Sequence, residues 1–421
     1  AREVTERGEY LAASTRARRA RRGIVNFVDT EKGTDHEEQG AASQEYVLFE
    51  NTFTSPLDRH VHALDWANSK VNAQGMMTPI AKGSKETMFN LTPFGGTNKC
   101  SFEANNGYLL NIHSSYNTPR IIYAIDVEKS IQNYRINPKN PSNPGIKPDW
   151  LVSQIIFESP NPIANLGLGK IEINKRMVNG VDQYSRIFYP SNFDPKKKYP
   201  VVVYVYGGPH AQMITNSWLG GGNLWMHYMA ENGYIVYTQD NRGSAHRGLA
   251  FENAVHRQLG TAEMADQLDG LAWLKSQSWC DSTRVGIHGW SFGGFMTTSL
   301  MTRTPGKYKV GVAGGPVIDW SFYEIMYTER YMDRPDENPE GYKANNLLGY
   351  ADKLQGRLLM IHGADDDVVV WQHSLMFVDK AVKAKNAQLD YFVYPGHKHN
   401  VIGPDRVHLY KKISQYFFDF L

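Results

Sequence analysis

The residue best suited to chemistry in this chain is Ser291, which lies in the run Gly-Trp-Ser-Phe-Gly at residues 289–293. This run has the form G-x-S-x-G, follows a strand-like segment at 284–288 and precedes a helix-compatible segment at 296–301. A serine at such a strand-to-helix turn has a strained backbone that exposes its hydroxyl, and side chains at the flanking positions would clash with the crowded turn. The run predicts a nucleophile for acyl transfer, and an ordinary exposed serine in a glycine-rich turn is the alternative.

A serine nucleophile needs a base that removes its proton and a carboxylate that orients the base. In an α/β-hydrolase sheet these groups follow the serine in the order carboxylate, then histidine, on loops after strands. Here three aspartates follow a predicted strand at 358–362, and two histidines follow another at 391–394. They are Asp365, Asp366, Asp367, His397 and His399. Spacing alone does not choose among them.

Adjacent carboxylates and a His-x-His pattern are also found in metal sites. The serine turn already accounts for the same two loops, so we expect neither a metal nor another cofactor.

An acyl-transfer site also needs donors for the developing oxyanion. The first is expected from the backbone N–H of Phe292, the residue after the serine, and the second from a loop after an early strand. Residues 206–210 follow an apolar strand predicted at 201–206. The second donor is then either the Tyr206 hydroxyl or a backbone N–H of this loop. The alternative for Tyr206 is that its side chain serves only in packing.

From about residue 170 onward, apolar strands alternate with amphipathic helices. Strands are predicted at 201–206 and 234–238, and helices at 262–279 and 407–420. Asn179-Gly180 between two strand-like runs is a strong hairpin signal. This alternation predicts a doubly wound α/β sheet, of the α/β-hydrolase type, over residues 151–421.

The N-terminal part has a different composition. Residues 1–40 are rich in arginine without apolar periodicity, which favours a solvated or truncated segment over a tail that binds nucleic acid or a membrane. Residues 41–150 contain short β-like runs separated by turn-rich stretches, which predict an antiparallel β-meander, and end in a Pro/Asn-rich linker at 137–148.

Net charge, hydrophobicity and cysteine content argue against some classes of function. The 421 residues carry a net charge of +2, which gives no reason to expect a nucleic acid partner. No apolar run is long enough to predict a membrane span, and two cysteines cannot form a disulfide framework.

Several of these segments together resemble the prolyl oligopeptidase superfamily, and within it the dipeptidyl peptidase IV branch. The C-terminal part is most similar to the bacterial prolyl tripeptidyl aminopeptidases. The segments that carry the resemblance are 204–210, 241–244, 289–295, 312–331, 362–374 and 399–407. The resemblance implies an α/β-hydrolase domain preceded by β-propeller blades, here apparently incomplete because residues 1–150 have room for few blades.

The resemblance also assigns the site. It implies a triad of Ser291, Asp366 and His399, with the Tyr206 hydroxyl and the Phe292 N–H as oxyanion donors. An apolar pocket for a proline ring and an acidic residue for the substrate amine complete the assignment. These residues are Val317, Trp320, Tyr323, Tyr327 and Val369 for the pocket and Glu324 for the amine. Core packing is the alternative for the pocket residues, and a surface ion pair is the alternative for Glu324.

The function expected from this resemblance is a serine exopeptidase that releases N-terminal di- or tripeptides after proline through an acyl-enzyme. Its substrates are peptides with proline near the N-terminus, and the resemblance further implies a homodimer in the periplasm or at the cell surface. An acylaminoacyl peptidase or esterase on the same fold is one alternative. A non-enzymatic interaction module is the other.

Overall fold

The computed structural model describes residues 46–52, 55–65, 69–71, 77–79, 88–103, 107–139 and 147–421. The predicted irregular segment 1–40 and most of the predicted linker lie outside these residues. The chain divides into two compact units, the first reaching Pro162 and including 215–221 and 246–249, and the second containing the remainder.

The first unit consists mainly of antiparallel strands. Its elements are β1 (Tyr46–Asn51), β2 (His60–Asp65), β3 (Ser69–Val71), β4 (Met77–Pro79), β5 (Met88–Asn90), β6 (Thr97–Glu103), β7 (Tyr108–Ser115), β8 (Thr118–Asp126), α1 (Val127–Ile136) and β9 (Ser153–Glu158). Strands β6 to β9 form a four-stranded antiparallel meander, the arrangement of a propeller blade. Because β9 pairs with β8, the first unit extends past residue 150.

The second unit contains one eight-stranded sheet with helices. Its strands are β10 (Ile171–Val178), β11 (Val181–Phe188), β12 (Tyr199–Tyr204), β13 (Ile235–Gln239), β14 (Cys280–Trp290), β15 (Val310–Gly314), β16 (Arg357–Gly363) and β17 (Leu389–Tyr394). The helices that follow α1 are α2 (Leu224–Glu231), α3 (Leu249–Glu252), α4 (Ala262–Ser276), α5 (Phe292–Arg303), α6 (Ile325–Met332), α7 (Pro339–Ala344), α8 (Gln372–Lys383) and α9 (Asp405–Phe420). Short 3₁₀ helices lie at Asn253–Val255, Trp320–Phe322 and Leu347–Lys353, and another, at Trp218–Gly221, belongs to the first unit.

The sheet has the order β10-β11-β13-β12-β14-β15-β16-β17. The first two pairings are antiparallel, and every pairing from β13 to β17 is parallel. The predicted hairpin is confirmed between β10 and β11, where Asn179 (φ 49°) and Gly180 (φ 82°) have the positive φ values of a type I′ turn.

Alternate side chains of the central strands enter two separate cores, which is why these strands are apolar throughout. Val201 and Val203 of β12 pack in a core with residues of α4, α5 and α8. Val202, between them, packs in a second core with residues of α2 and α9. The parallel strands are thus covered on both faces, and their carboxyl ends are left to carry a site.

Candidate active site

Ser291 lies at the turn between β14 and α5. Its backbone has φ 61° and ψ −117°, a conformation that costs a non-glycine residue about 1–3 kcal/mol and persists only where neighbours hold it. The Ser291 N–H donates to the Gly314 carbonyl at 2.8 Å, and the Ser291 carbonyl accepts from the Phe295 N–H at 3.0 Å. The serine is therefore held on a strained turn at the carboxyl end of the sheet.

The glycines on either side of Ser291 are required by close backbone contacts. A Cβ on Gly289 would lie 2.4 Å from the Val205 carbonyl oxygen, and one on Gly293 would lie 2.3 Å from the same atom. Real Cβ atoms do not approach backbone so closely, so the clash predicted from the sequence pattern is confirmed.

Asp366 follows β16 and is buried. Its Oδ1 accepts the backbone N–H groups of Val368 at 3.0 Å and Val369 at 2.8 Å. Burial alone would raise the pKa of this carboxyl, but hydrogen bonds from His362 and His399 outweigh burial and hold the pKa well below its usual range. Asp366 therefore remains ionised at neutral pH.

His399 follows β17, and its Nδ1 lies 2.8 Å from Asp366 Oδ2. A Cβ on Gly315 would lie 3.3 Å from His399 Cε1, so the imidazole borders the same Gly314-Gly315 segment that holds the Ser291 N–H. The His399 carbonyl accepts the indole N–H of Trp290 at 2.8 Å. The histidine loop is thus anchored to the residue that precedes the serine.

The other aspartates and the other histidine of the two loops have different neighbours. His397 Nε2 lies 2.9 Å from Asp405 Oδ2, and Asp367 pairs with Lys398 at 2.5 Å. Asp365 is exposed. Of the alternatives that spacing left open, the structure brings together Asp366 and His399.

The two residues predicted to supply the oxyanion donors are neighbours in the fold. The rings of Tyr206 and Phe292 have centroids 6.2 Å apart. As the first residue of α5, Phe292 has no acceptor within the helix for its N–H. Burial raises the pKa of Tyr206, and Tyr331 adds to this effect, so the Tyr206 hydroxyl keeps its proton. The loop after Tyr206 is fixed by Asn241, whose amide donates to the Gly207 carbonyl at 3.0 Å.

The three aromatic residues predicted for the pocket form a cluster. Trp320 stacks nearly parallel to Tyr327 with centroids 6.2 Å apart, and Tyr323 meets both rings edge-on at 5.7 and 5.3 Å. Val317, Trp320 and Val369 are buried, whereas Tyr323 and Tyr327 are partly exposed. The two tyrosines therefore offer the accessible surface of the cluster, and the buried residues support them.

Glu324 is exposed and caps α6, where its Oε2 accepts the backbone N–H of Met326 at 2.9 Å. Burial raises the pKa of Tyr323, and electrostatic interactions with Tyr206 and Glu324 add to this effect, so the exposed Glu324 carboxylate lies near the rim of the aromatic cluster. Sequence reasoning did not foresee the capping contact, which gives Glu324 a structural task besides any role in binding.

Sequence reasoning also missed two residues that contact this constellation. Trp290, inside the serine turn, anchors the His399 loop through its indole N–H. His362, at the end of β16, lies 3.3 Å from Asp366 Oδ2. In the sequence, the only indication of this contact is the four-residue spacing between His362 and Asp366. The apolar pattern of the strand does not indicate the direction in which the imidazole points.

Within the described parts of the chain, no group of three or more His, Cys, Asp or Glu side chains could hold a metal ion. No helix in those same parts is long and apolar enough to cross a membrane.

Comparison with known proteins gives a consistent result. Residues 223–421 match the prolyl oligopeptidase family. Dipeptidyl peptidase 8 of Mus musculus is 30% identical over 367 residues, which cover 86% of this chain and 38% of that protein. A Bacteroides ovatus structure assigned as a dipeptidyl aminopeptidase IV is 39% identical with a TM-score of 0.72, covering 89% of this chain and 57% of that one. Dipeptidyl peptidase 4 of Porphyromonas gingivalis is 29% identical with a TM-score of 0.74, and the match covers 93% and 51% of the two chains.

This chain belongs to the prolyl oligopeptidase superfamily, in its dipeptidyl peptidase IV branch.

The membership confirms the predicted fold class, an α/β-hydrolase domain preceded by antiparallel sheets of the propeller type. The chain spans 38% of the length of the mouse dipeptidyl peptidase 8 that it matches. The strained serine turn, between a strand and a helix, is a feature that this chain has in common with α/β-hydrolases generally.

Proposed function

We propose that this protein is a serine dipeptidyl aminopeptidase that cleaves after proline. The observation that carries the proposal is the 2.8 Å contact between His399 Nδ1 and the ionised Asp366, beside a serine on a strained strand-to-helix turn. The proposed release of a dipeptide is supported by the relatives that are named dipeptidyl peptidases. The homodimer and the periplasmic or surface location stay predictions.

The proposed reaction begins at Ser291. An ionised Asp366 accepts the Nδ1–H of His399, which leaves Nε2 without a proton and able to act as a base. Ser291 Oγ attacks the substrate carbonyl as Nε2 takes its proton, and the protonated His399 then gives that proton to the leaving amine. Water then attacks the acyl-enzyme in the same way, with His399 again taking and returning the proton, and the peptide is released.

Stabilisation of the oxyanion is proposed for Phe292 and Tyr206. The Phe292 N–H is unpaired within its helix, and the raised pKa of Tyr206 keeps its hydroxyl a donor. Both are positioned before the reaction, so they stabilise developing charge without reorganisation.

The aromatic cluster supports a preference for proline. A compact, rigid pyrrolidine ring packs well on the faces and edges of Tyr323 and Tyr327, and burying it contributes about 1.5–3 kcal/mol. Burial raises the pKa of Tyr323 to about 12, with Tyr206 adding to this, so the wall carries no charge at neutral pH.

The substrate amine is proposed to pair with Glu324 at the rim of this cluster. Glu324→Gln keeps an oxygen for the Met326 N–H cap but removes the charge. In a comparison of free-amine with N-acetylated Gly-Pro substrates, we expect the substitution to lower kcat/KM about ten-fold for the free amine only. An equal loss on both substrates would leave Glu324 with its capping role alone.

The test of the proposed function is a panel of chromogenic substrates on purified protein: free-amine Gly-Pro, free-amine Ala-Ala-Pro, N-acetyl-Gly-Pro and a simple ester. We expect Gly-Pro to be cleaved best. Cleavage of Ala-Ala-Pro alone would replace dipeptide by tripeptide release. Cleavage of only the acetylated peptide or the ester would overturn the aminopeptidase assignment, and no cleavage at all would favour a non-enzymatic module.

Tyr206→Phe should lower kcat roughly a hundred-fold with little change in KM, because the hydroxyl contributes mainly once negative charge develops. The matched control is Tyr331→Phe, which removes the hydroxyl of a tyrosine whose ring packs 4.8 Å from that of Tyr327 and should change kcat by less than about three-fold. Equal rates for Tyr206→Phe and the unmodified protein would make Tyr206 a packing residue.

A further inference from the structure

The carboxylate of Asp366 contacts two histidines through one oxygen. His399 Nδ1 lies 2.8 Å from Oδ2, and His362 Nε2 lies 3.3 Å from the same atom. His362 comes from β16, is fully buried, and approaches from the protein interior. The catalytic scheme described so far has no use for this second imidazole.

The tautomer of His362 follows from its neighbours. Its Nε2 also lies 2.8 Å from the Val369 carbonyl oxygen. A carbonyl and an ionised carboxylate are both acceptors only, so Nε2 must carry a proton. Its Nδ1 lies 2.6 Å from the Ser374 hydroxyl, which can donate to it. Through this Nε2 proton, His362 is therefore oriented as a fixed donor shared between Val369 and Asp366.

A second donor on the same oxygen has a consequence for His399. The negative charge of Asp366 stabilises His399 when that histidine takes the proton of the serine. A donor on Oδ2 draws part of this charge to itself, because hydrogen bonds to an ionised group stabilise the ionised form. Less of the charge then acts on His399.

We propose that His362 is a positioning residue that shares the Asp366 carboxylate with His399, fixing the carboxylate in place and moderating its effect on the catalytic histidine. This inference rests on the proposed function, since it assigns a role toward the same triad. It also explains why Ser374 is buried on α8 with its hydroxyl against His362.

Other titratable groups near Asp366 have partners or surroundings of their own. Asp367 pairs with Lys398 at the surface, and Tyr323 keeps its proton with a pKa of about 12, raised first by burial. His373 on α8 is buried with a pKa lowered to about 4, first by burial and then by His362, and its Nδ1 accepts the Ile318 N–H at 3.1 Å. No hydrogen bond joins Asp367, Tyr323 or His373 to the Asp366 carboxylate in the described structure.

The experiment compares His362→Leu with His362→Gln. Leucine removes the donor, whereas the glutamine amide nitrogen reaches about as far as Nε2 and can keep it. His373→Gln is the matched control, because it changes a neighbouring buried histidine that donates nothing to Asp366. His362→Asn, whose amide is too short to reach the carboxylate, replaces the leucine variant if circular dichroism shows that the latter is unfolded.

The measurement is the rate at which a fluorophosphonate labels Ser291 as a function of pH, which needs no knowledge of the natural substrate. Without the donor, Asp366 stabilises protonated His399 more strongly, so we expect the acid limb to move up by about 0.5 pH units or more. The plateau rate should fall by about three- to ten-fold as the carboxylate loses its support. His362→Gln and His373→Gln should keep the acid limb of the unmodified protein.

The outcomes separate the two proposals. An unmodified protein that is not labelled at Ser291 would overturn the proposed function. Labelling at Ser291 with the same acid limb in every folded His362 variant would overturn the role of His362 alone. A shift of the limb in His373→Gln equal to that in His362→Leu would also overturn it, because the effect would then come from packing.

Discussion

Ser291→Ala should lower turnover by about a million-fold, while the protein keeps its fold and its ability to bind substrate. The loss is this large because the serine and histidine of such a triad act as one unit, so removing the nucleophile leaves only what the oxyanion donors and substrate binding supply. Alanine tolerates the strained backbone conformation of residue 291 about as well as serine does, so the free energy of unfolding should change little.

The measurement is the steady-state turnover of a Gly-Pro chromogenic substrate, with circular dichroism to establish the fold. The matched control is Ser276→Ala, an exposed serine whose hydroxyl donates to the Trp273 carbonyl, which should retain turnover within about two-fold. Turnover of the Ser291 variant within about a hundred-fold of the unmodified protein would exclude Ser291 as the nucleophile.

His399→Ala should produce a loss of the same order, about a hundred-thousand- to a million-fold, because it removes the proposed base, the histidine oriented by Asp366. His397→Ala should retain turnover within a few-fold. His397 pairs with Asp405 at 2.9 Å instead of with Asp366. The two variants remove the same side chain two positions apart on one loop, so each is the control for the other.

The comparison is again of kcat for a Gly-Pro substrate. If His397→Ala lost turnover and His399→Ala retained it, the assignment of the base would be wrong, even though His399 contacts the carboxylate. If both lost turnover equally, damage to the loop would explain the result better than removal of a base.

Local patterns in the sequence were sufficient to predict two of the turns in the second unit. Asn179-Gly180 predicted a hairpin because its turn type requires two positive φ values, which the structure has. Gly289 and Gly293 predicted a crowded turn because only glycine fits beside the Val205 carbonyl. In both places the constraint lies within a few residues of backbone, so it can be recognised without knowing the rest of the fold.

Contacts between distant segments could not be obtained from spacing. Choosing Asp366 among three adjacent aspartates needed either the family resemblance or the distance to His399. The contact of His362 with Asp366 depends on the direction of a side chain within an apolar strand, which a hydrophobic pattern does not encode. The order of strands, with β13 between β11 and β12, is likewise set by packing of the whole sheet.

The structure of the first unit could be predicted from the sequence less completely. Short β-like runs indicated antiparallel sheets, and the four-stranded meander β6 to β9 agrees with that expectation. The pattern did not show that β9 continues this meander after the Pro/Asn-rich stretch, because pairing across so long a connection leaves no local signal.

The most direct measurement is to treat the protein with the diphenyl phosphonate analogue of Gly-Pro, carrying a free amine, and to locate the adduct by mass spectrometry. We expect one adduct, on the peptide that contains Ser291, formed much faster than with the N-acetylated analogue and absent from His399→Ala. An adduct on another residue would contradict the assignment of the nucleophile. Equal rates for the free and acetylated analogues would contradict the aminopeptidase function.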